Sequence, residues 1–240
     1  MDIARAASEL EEDLSIRQSE LVFLENICEG LSDDKAKEKL RRAMLLMLYA
    51  HFEGFIKLAL QIYCRHIDEA KVGCNDVEAV LATTMLTDAF RAFRDGNNAK
   101  KFLPKELHKL TDLRPIAIEM HFVERSRISN EKKVAIPEGY VDLESNLKLN
   151  VLRKNLFKLA LPHDYFDDHA STLSELLERR NNIAHGSSSL GIDSKTYDKM
   201  KAVIEHITNE MRKMILDAIK KRSYLLAKDI AGDNIQNKVG

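Results

Sequence analysis

Apolar residues recur at spacings of three and four along most of the chain, the period at which helical side chains share a face. Over residues 3–30 the stripe is Leu10, Leu14, Ile16, Leu21, Phe23, Leu24 and Ile27, and Gly30 ends it. Ser32, Asp33 and Asp34 then offer an N-cap, and a second helix is predicted from there to about Ile67. Its stripe is Leu40, Met44, Met47, His51, Phe55, Leu58 and Ile62. Between Ala43 and Ile62 apolar side chains occupy nearly every face, as in a helix at the centre of a bundle. Gly54 sits inside it at a helix cost of roughly 1 kcal/mol, which predicts the close approach of another backbone. A third helix is predicted over 76–93, broken by residues 94–98. The helical pattern resumes over 150–161, where Pro162 stops it, then over 170–185, and finally from the Asp193-Ser194 cap to about Leu226.

The stretch between these runs is different. Residues 95–142 form an irregular insert, within which 116–123 fits a short helix or a strand equally well. Its start is basic, with Lys100, Lys101 and Lys105 close together. One reading gives these lysines a hold on an RNA backbone; the other makes them a solvated loop. The expected fold is all-α: one helical domain over 1–240, built as a bundle of long antiparallel helices, with a loose polar tail at 229–240. Nine glycines and four prolines in 240 residues leave little to interrupt such helices.

Composition narrows the function. A net charge of −1 with 45% hydrophobic residues excludes a disordered chain and a generally basic nucleic-acid coat, so any nucleic-acid site is a local patch. Cys28, Cys64 and Cys74 are odd in number and share no paired spacing, which fits reduced thiols in the cytoplasm. The acidic, polar N-terminus does not resemble a signal peptide. The apolar run at 43–60 contains His51, Glu53 and Lys57, so a buried helix is expected and no membrane span. Histidines and aspartates at 163–171 lack a recognisable ligand spacing, so no metal and no cofactor is expected.

The candidate chemistry lies in ERRNNIAHG, residues 178–186. Arg180 offers a planar fork of donors suited to phosphate, and His185 moves a proton near neutrality. Together they suffice to cleave RNA without a metal: one group handles the ribose 2′-hydroxyl proton and the other stabilises charge at phosphorus. Asn181 and His185 are four apart and share a face, whereas Arg180 and His185 diverge by roughly 140° on a regular helix. They converge only if the helix ends here, as Gly186 suggests, or if a second subunit completes the site. Arg179 is a second phosphate contact in this reading. The bare arginine–histidine spacing is common, and occurs again at Arg114 and His121. The same residues at a helix end also serve simply to cap carbonyls and solvate the surface. His51 reads as a core histidine with its polar needs met, and Glu53 pairs either with Lys57 one turn on or with Arg180.

RNNIAHG resembles the signature of the HEPN superfamily, helical domains found in many prokaryotic RNases of toxin–antitoxin and anti-phage systems. LYAHFEGFIK, residues 48–57, resembles the second-helix motif of a stand-alone HEPN-like nuclease group (RiboL-PSP-HEPN type). ESNLKLNVLRKNL, residues 144–156, is similar to the segment that group carries ahead of its arginine–histidine motif. The resemblance implies a homodimer with both motifs facing one cleft, acting as a metal-independent endoribonuclease on RNA and restrained by an antitoxin or defence-system partner. It puts Arg180, Asn181 and His185 in the catalytic positions, with Glu53 in support of Arg180. Ser187 stands where one subset of the superfamily has a tyrosine, so chemistry tied to that tyrosine is not carried over. Two other classes compete: a non-catalytic HEPN-type module that binds RNA, a nucleotide or a protein, and a helical scaffold.

Overall fold

Caps and apolar stripes together set the long helices. In the computed structural model, which describes residues 2–95, 99–109, 113–130, 132–144, 146–186 and 190–226, α1 spans Ile3–Gly30 and α2 spans Asp34–Ala70. Asp2 caps α1 by accepting the Ala4 N–H at 3.4 Å, and Asp33 accepts the Lys35 N–H at 3.0 Å ahead of α2. The chain is all-α, and the described residues contain no strand, only two isolated bridges. It divides into two compact units, Met1–Ala70 with Ile136–Lys221 and Lys71–Ala135 with Arg222–Gly240.

The first unit is organised on α2. By length and composition α2 is apolar enough to cross a membrane, yet half of its most apolar window is buried inside the protein. Leu45, Phe52, Phe55, Ile56, Leu60, Ile62 and Tyr63 are fully buried among its neighbours. Those neighbours are α1 and two later helices, α7 (Ala170–Ala184) and α8 (Ser194–Lys221). Asp193 caps α8 through the Thr196 N–H at 2.9 Å. Gly54 does meet a close approach, but not from backbone: a Cβ there would lie 2.7 Å from Nη1 of Arg17, whose guanidinium rests on the glycine.

Between α2 and α7 in this unit lies α6, Leu149–Lys158. It ends before Pro162 rather than against it. Ala160 takes a left-handed conformation (φ +56°) and the Leu161 N–H closes back on Leu156 O at 2.9 Å, with both leucines buried.

The second unit is built of short pieces. The single helix predicted over 76–93 is divided into a turn of α3 (Ala79–Ala82), a 3₁₀ turn (Thr83–Leu86) and α4 (Thr87–Asp95). Thr83, Thr84 and Thr87 donate their hydroxyls to carbonyls three or four residues back, which favours the tighter winding. The ambiguous run at 116–123 is helical, inside α5 (Arg114–Asn130). His121 on α5 stacks on Phe102 with ring centroids 3.8 Å apart, so the second arginine–histidine pair belongs to this small core. The last helix stops at Lys221, short of the predicted end, because Arg222 turns left-handed (φ +51°) and Leu226 N–H bonds Asp76 O at 2.9 Å. The tail at 229–240 lies outside the described residues.

Candidate active site

The end of α7 is shaped by two residues. His185 is its C-cap, with φ −87° and ψ 1°, and its N–H bonds Asn181 O at 2.9 Å. Gly186 follows at φ +69°, where a glycine costs least, and its N–H bonds Ile183 O at 3.2 Å. The stop expected from Gly186 is therefore present. It leaves the His185 side chain exposed, while Arg180 and Asn181 are half-buried. No hydrogen bond joins Arg180 to His185 among the described residues. Ser187 lies outside them.

Arg180 is held by its neighbour Asn181 and by two distant parts of the chain, at Asn146 and Tyr49. Its Nη1 donates to Asn146 Oδ1 at 3.2 Å and to Asn181 Oδ1 at 2.8 Å. Its Cζ lies 4.9 Å from the centroid of the Tyr49 ring, a cation–π contact worth about 1 kcal/mol. Tyr49 is anchored in turn: its hydroxyl accepts the Leu147 N–H at 2.7 Å, fastening the 146–148 segment to α2. Burial pushes the Tyr49 phenol up to about 12, and the Glu53 carboxylate beside it pushes in the same direction. The ring therefore stays neutral and keeps its π face for the guanidinium.

These holds use one end of the fork. Nε and Nη2 of Arg180 have no protein partner among the described residues. That edge carries two parallel N–H directions, the geometry that grips two oxygens of a phosphate. A positive charge held by a neutral ring and two neutral amides is not cancelled, so it remains available to an anion.

The remaining predicted residues take other places. Glu53 forms no ion pair with Arg180 or with Lys57 among the described residues; its influence falls on Tyr49, which carries Arg180. Arg179 is committed elsewhere, donating through Nε and Nη2 to Glu175 Oε1 at 3.0 and 2.9 Å. Lys199 bonds the same carboxylate at 3.1 Å, and the two cations, Lys199 foremost, hold Glu175 below the usual carboxylate range. Lys101 and Lys105 are exposed in the second unit, and the Lys100 side chain lies outside the described residues.

Tyr49 and Asn146 were not singled out from the sequence as site residues. Tyr49 lies in 48–57 and Asn146 in 144–156, so the segment rather than the residue carries the signal. Beside Asn181, an open groove of about 620 Å³ runs between the start of α6 and one face of α7.

A family model described as HEPN_MAE_28990-like HEPN matches residues 6–224. No curated protein and no solved structure matches the chain. The match covers both units and every segment that converges on Arg180, and on it the chain belongs to the HEPN_MAE_28990-like family of the HEPN superfamily.

Proposed function

We propose that the protein is a metal-independent endoribonuclease of a toxin or anti-phage defence system, acting in the cytoplasm as a homodimer and restrained by a partner protein. The observation that carries this reading is the Arg180 guanidinium: its neighbour Asn181 and two distant residues, Asn146 and Tyr49, hold it through Nη1 and its face, and the Nε–Nη2 edge is left for a phosphate. His185 takes the proton of a ribose 2′-hydroxyl. O2′ then bonds to phosphorus, the bond from phosphorus to O5′ breaks, and O5′ leaves with the proton that His185 took and hands on. The products are a 2′,3′-cyclic phosphate and a 5′-hydroxyl. Arg180 stabilises the extra charge of the pentacoordinate phosphorus, and Asn181 keeps the guanidinium in place. His185 is exposed at this helix end, so two copies meeting there bring both Arg180–His185 sets to one cleft.

Incubation of the purified protein with total RNA in EDTA tests this. Cleavage that is lost in His185→Ala and yields cyclic-phosphate ends supports it; intact RNA with the wild type sinks it. That no hydrogen bond joins Arg180 to His185 among the described residues favours a second reading, a non-catalytic module that grips RNA or a nucleotide through Arg180. Retention of RNA without cleavage selects that reading.

A further inference from the structure

We propose that the groove beside Asn181 is the subsite for one unpaired nucleobase of the RNA, next to the scissile phosphate. The proposal rests on the ribonuclease reading above and adds where the substrate lies. At about 620 Å³ the groove falls inside the range of small-ligand pockets, ~300–1,000 Å³. Its floor is apolar, formed by Leu173 and Leu177 on α7, both buried in the core beneath it. A flat ring laid on such a floor gains contact over its whole face.

The rim of the groove is rich in donors. Asn181 Oδ1 is occupied by Arg180, so the Nδ2 group is the free end of that amide. On the opposite wall, Asn150 Oδ1 accepts from Arg153 Nη1 at 3.0 Å, which leaves its Nδ2 free in the same way. Lys148 also lines the groove and has no carboxylate partner among the described residues. Two amide N–H₂ groups and an ammonium select a ligand rich in acceptors and carrying negative charge. A nucleotide offers both, in its base carbonyls and its phosphate oxygens. Glu178, the carboxylate on the rim, suits the imino or amino N–H of the same base. Asn181 joins the two places, because its Oδ1 fixes Arg180 and the residue also lines this groove. A base in a duplex is stacked and has its edge occupied, so only an unpaired one can enter.

Fluorescence anisotropy with the full chain tests the subsite. The probe is a labelled single-stranded RNA oligonucleotide methylated at every 2′-oxygen, which binds but cannot be cut; the control is the same strand annealed to its complement. Ser174 lines the groove, is exposed and is remote from Arg180 along α7, so Ser174→Trp fills the space. Asn150→Asp, which turns a donor into an anion, serves if the tryptophan variant does not melt as the wild type does. The single strand is expected to bind the wild type and His185→Ala; the duplex on the wild type, and the single strand on either groove variant, should bind about tenfold more weakly or worse. Wild-type affinity in the folded groove variants, equal affinity for the duplex, or no binding to the wild type overturns the subsite. The two readings fail separately. Unmodified RNA cut at full rate by Ser174→Trp removes the subsite and keeps the ribonuclease. Ser174-dependent binding without cutting by the wild type removes the ribonuclease and keeps the subsite.

Discussion

Two arginines lie against α2, and they are used in opposite ways. Arg17 of α1 rests on Gly54, and its Nε and Nη2 grip the two oxygens of Asp13 at 2.5 and 2.9 Å. Arg180 of α7 rests on Tyr49 and is held through Nη1 alone, by two neutral amides. The edge that Arg17 has closed with a carboxylate is the edge that Arg180 keeps open. The carboxylate of Asp13, four residues back on the same helix, closes that edge and leaves Arg17 packed on α2, whereas neutral partners fix the direction of the Arg180 guanidinium and leave its edge open. Exposure does not separate the two residues, since both are half-buried; the identity of the partner on the Nε–Nη2 edge does.

The sharpest way to break this contrast is to truncate each arginine. Arg180→Ala is expected to lower the cleavage rate by about 10²–10³-fold, the usual loss on removing one group that stabilises transition-state charge, with thermal melting close to wild type. Arg180→Lys should not restore it, because an ammonium cannot present the fork. Arg17→Ala should do the reverse, keeping cleavage and costing about 1 kcal/mol of stability, discounted for partial exposure of the pair. Measured rates and urea midpoints that fall together in both variants would erase the distinction.

Next in size is Tyr49→Phe. The ring that carries Arg180 remains, but the Leu147 N–H loses its acceptor in a buried place. An unsatisfied buried donor costs about 1–3 kcal/mol, so the urea midpoint should drop clearly while cleavage falls much less than in Arg180→Ala. A large loss of cleavage with unchanged stability would show that the hydroxyl itself acts in the reaction.

A smaller effect isolates the Arg17 side. Gly54→Ala gains roughly 1 kcal/mol of helix propensity, but in the wild type the new Cβ meets Arg17 Nη1 at 2.7 Å and displaces it from Asp13. The gain should therefore appear in full only in the Arg17→Ala background. A double-mutant cycle reads the difference directly; equal gains in both backgrounds would mean that the guanidinium yields without cost.

These cases also show what the sequence could and could not reveal. α1, α2, α7 and α8 were legible because stripes and caps such as Asp33, Asp193 and Gly186 are local signals. The division of the helix over 76–93 was not, because three threonine hydroxyls compete with the backbone in a way no apolar period records. At the site, Arg180, Asn181 and His185 could be named from one short run. That Tyr49 and Asn146 share the guanidinium could not, since residues 49, 146 and 180 meet only through the tertiary fold. Gly54 signals a close approach correctly but not its source: the planar side chain of Arg17 fills the place expected of a backbone.

The smallest expected effect concerns His51, which belongs to the Arg17 side of the comparison. Its Nδ1 lies 3.4 Å from Arg17 Nη1, and its Nε2 lies 3.1 Å from Glu20 Oε2 but out of line for a hydrogen bond. Burial foremost, and then the Arg17 cation, hold the imidazole below its ordinary value of 6.5, against the opposing pull of Glu20 and Asp13. As pH falls through 6.5, the unfolded chain takes up a proton that the folded chain refuses, so stability declines until the lower folded value is reached and then levels off. The other histidines also add to the slope, so the difference between wild type and His51→Gln isolates this one. Urea midpoints at about pH 7 and about pH 5.5, above the range where most carboxylates titrate, should fall less in the variant. The fall should shrink in part in Arg17→Ala, where burial remains but the cation is gone. A slope that His51→Gln leaves untouched would mean that neither burial nor the Arg17 cation acts on the imidazole.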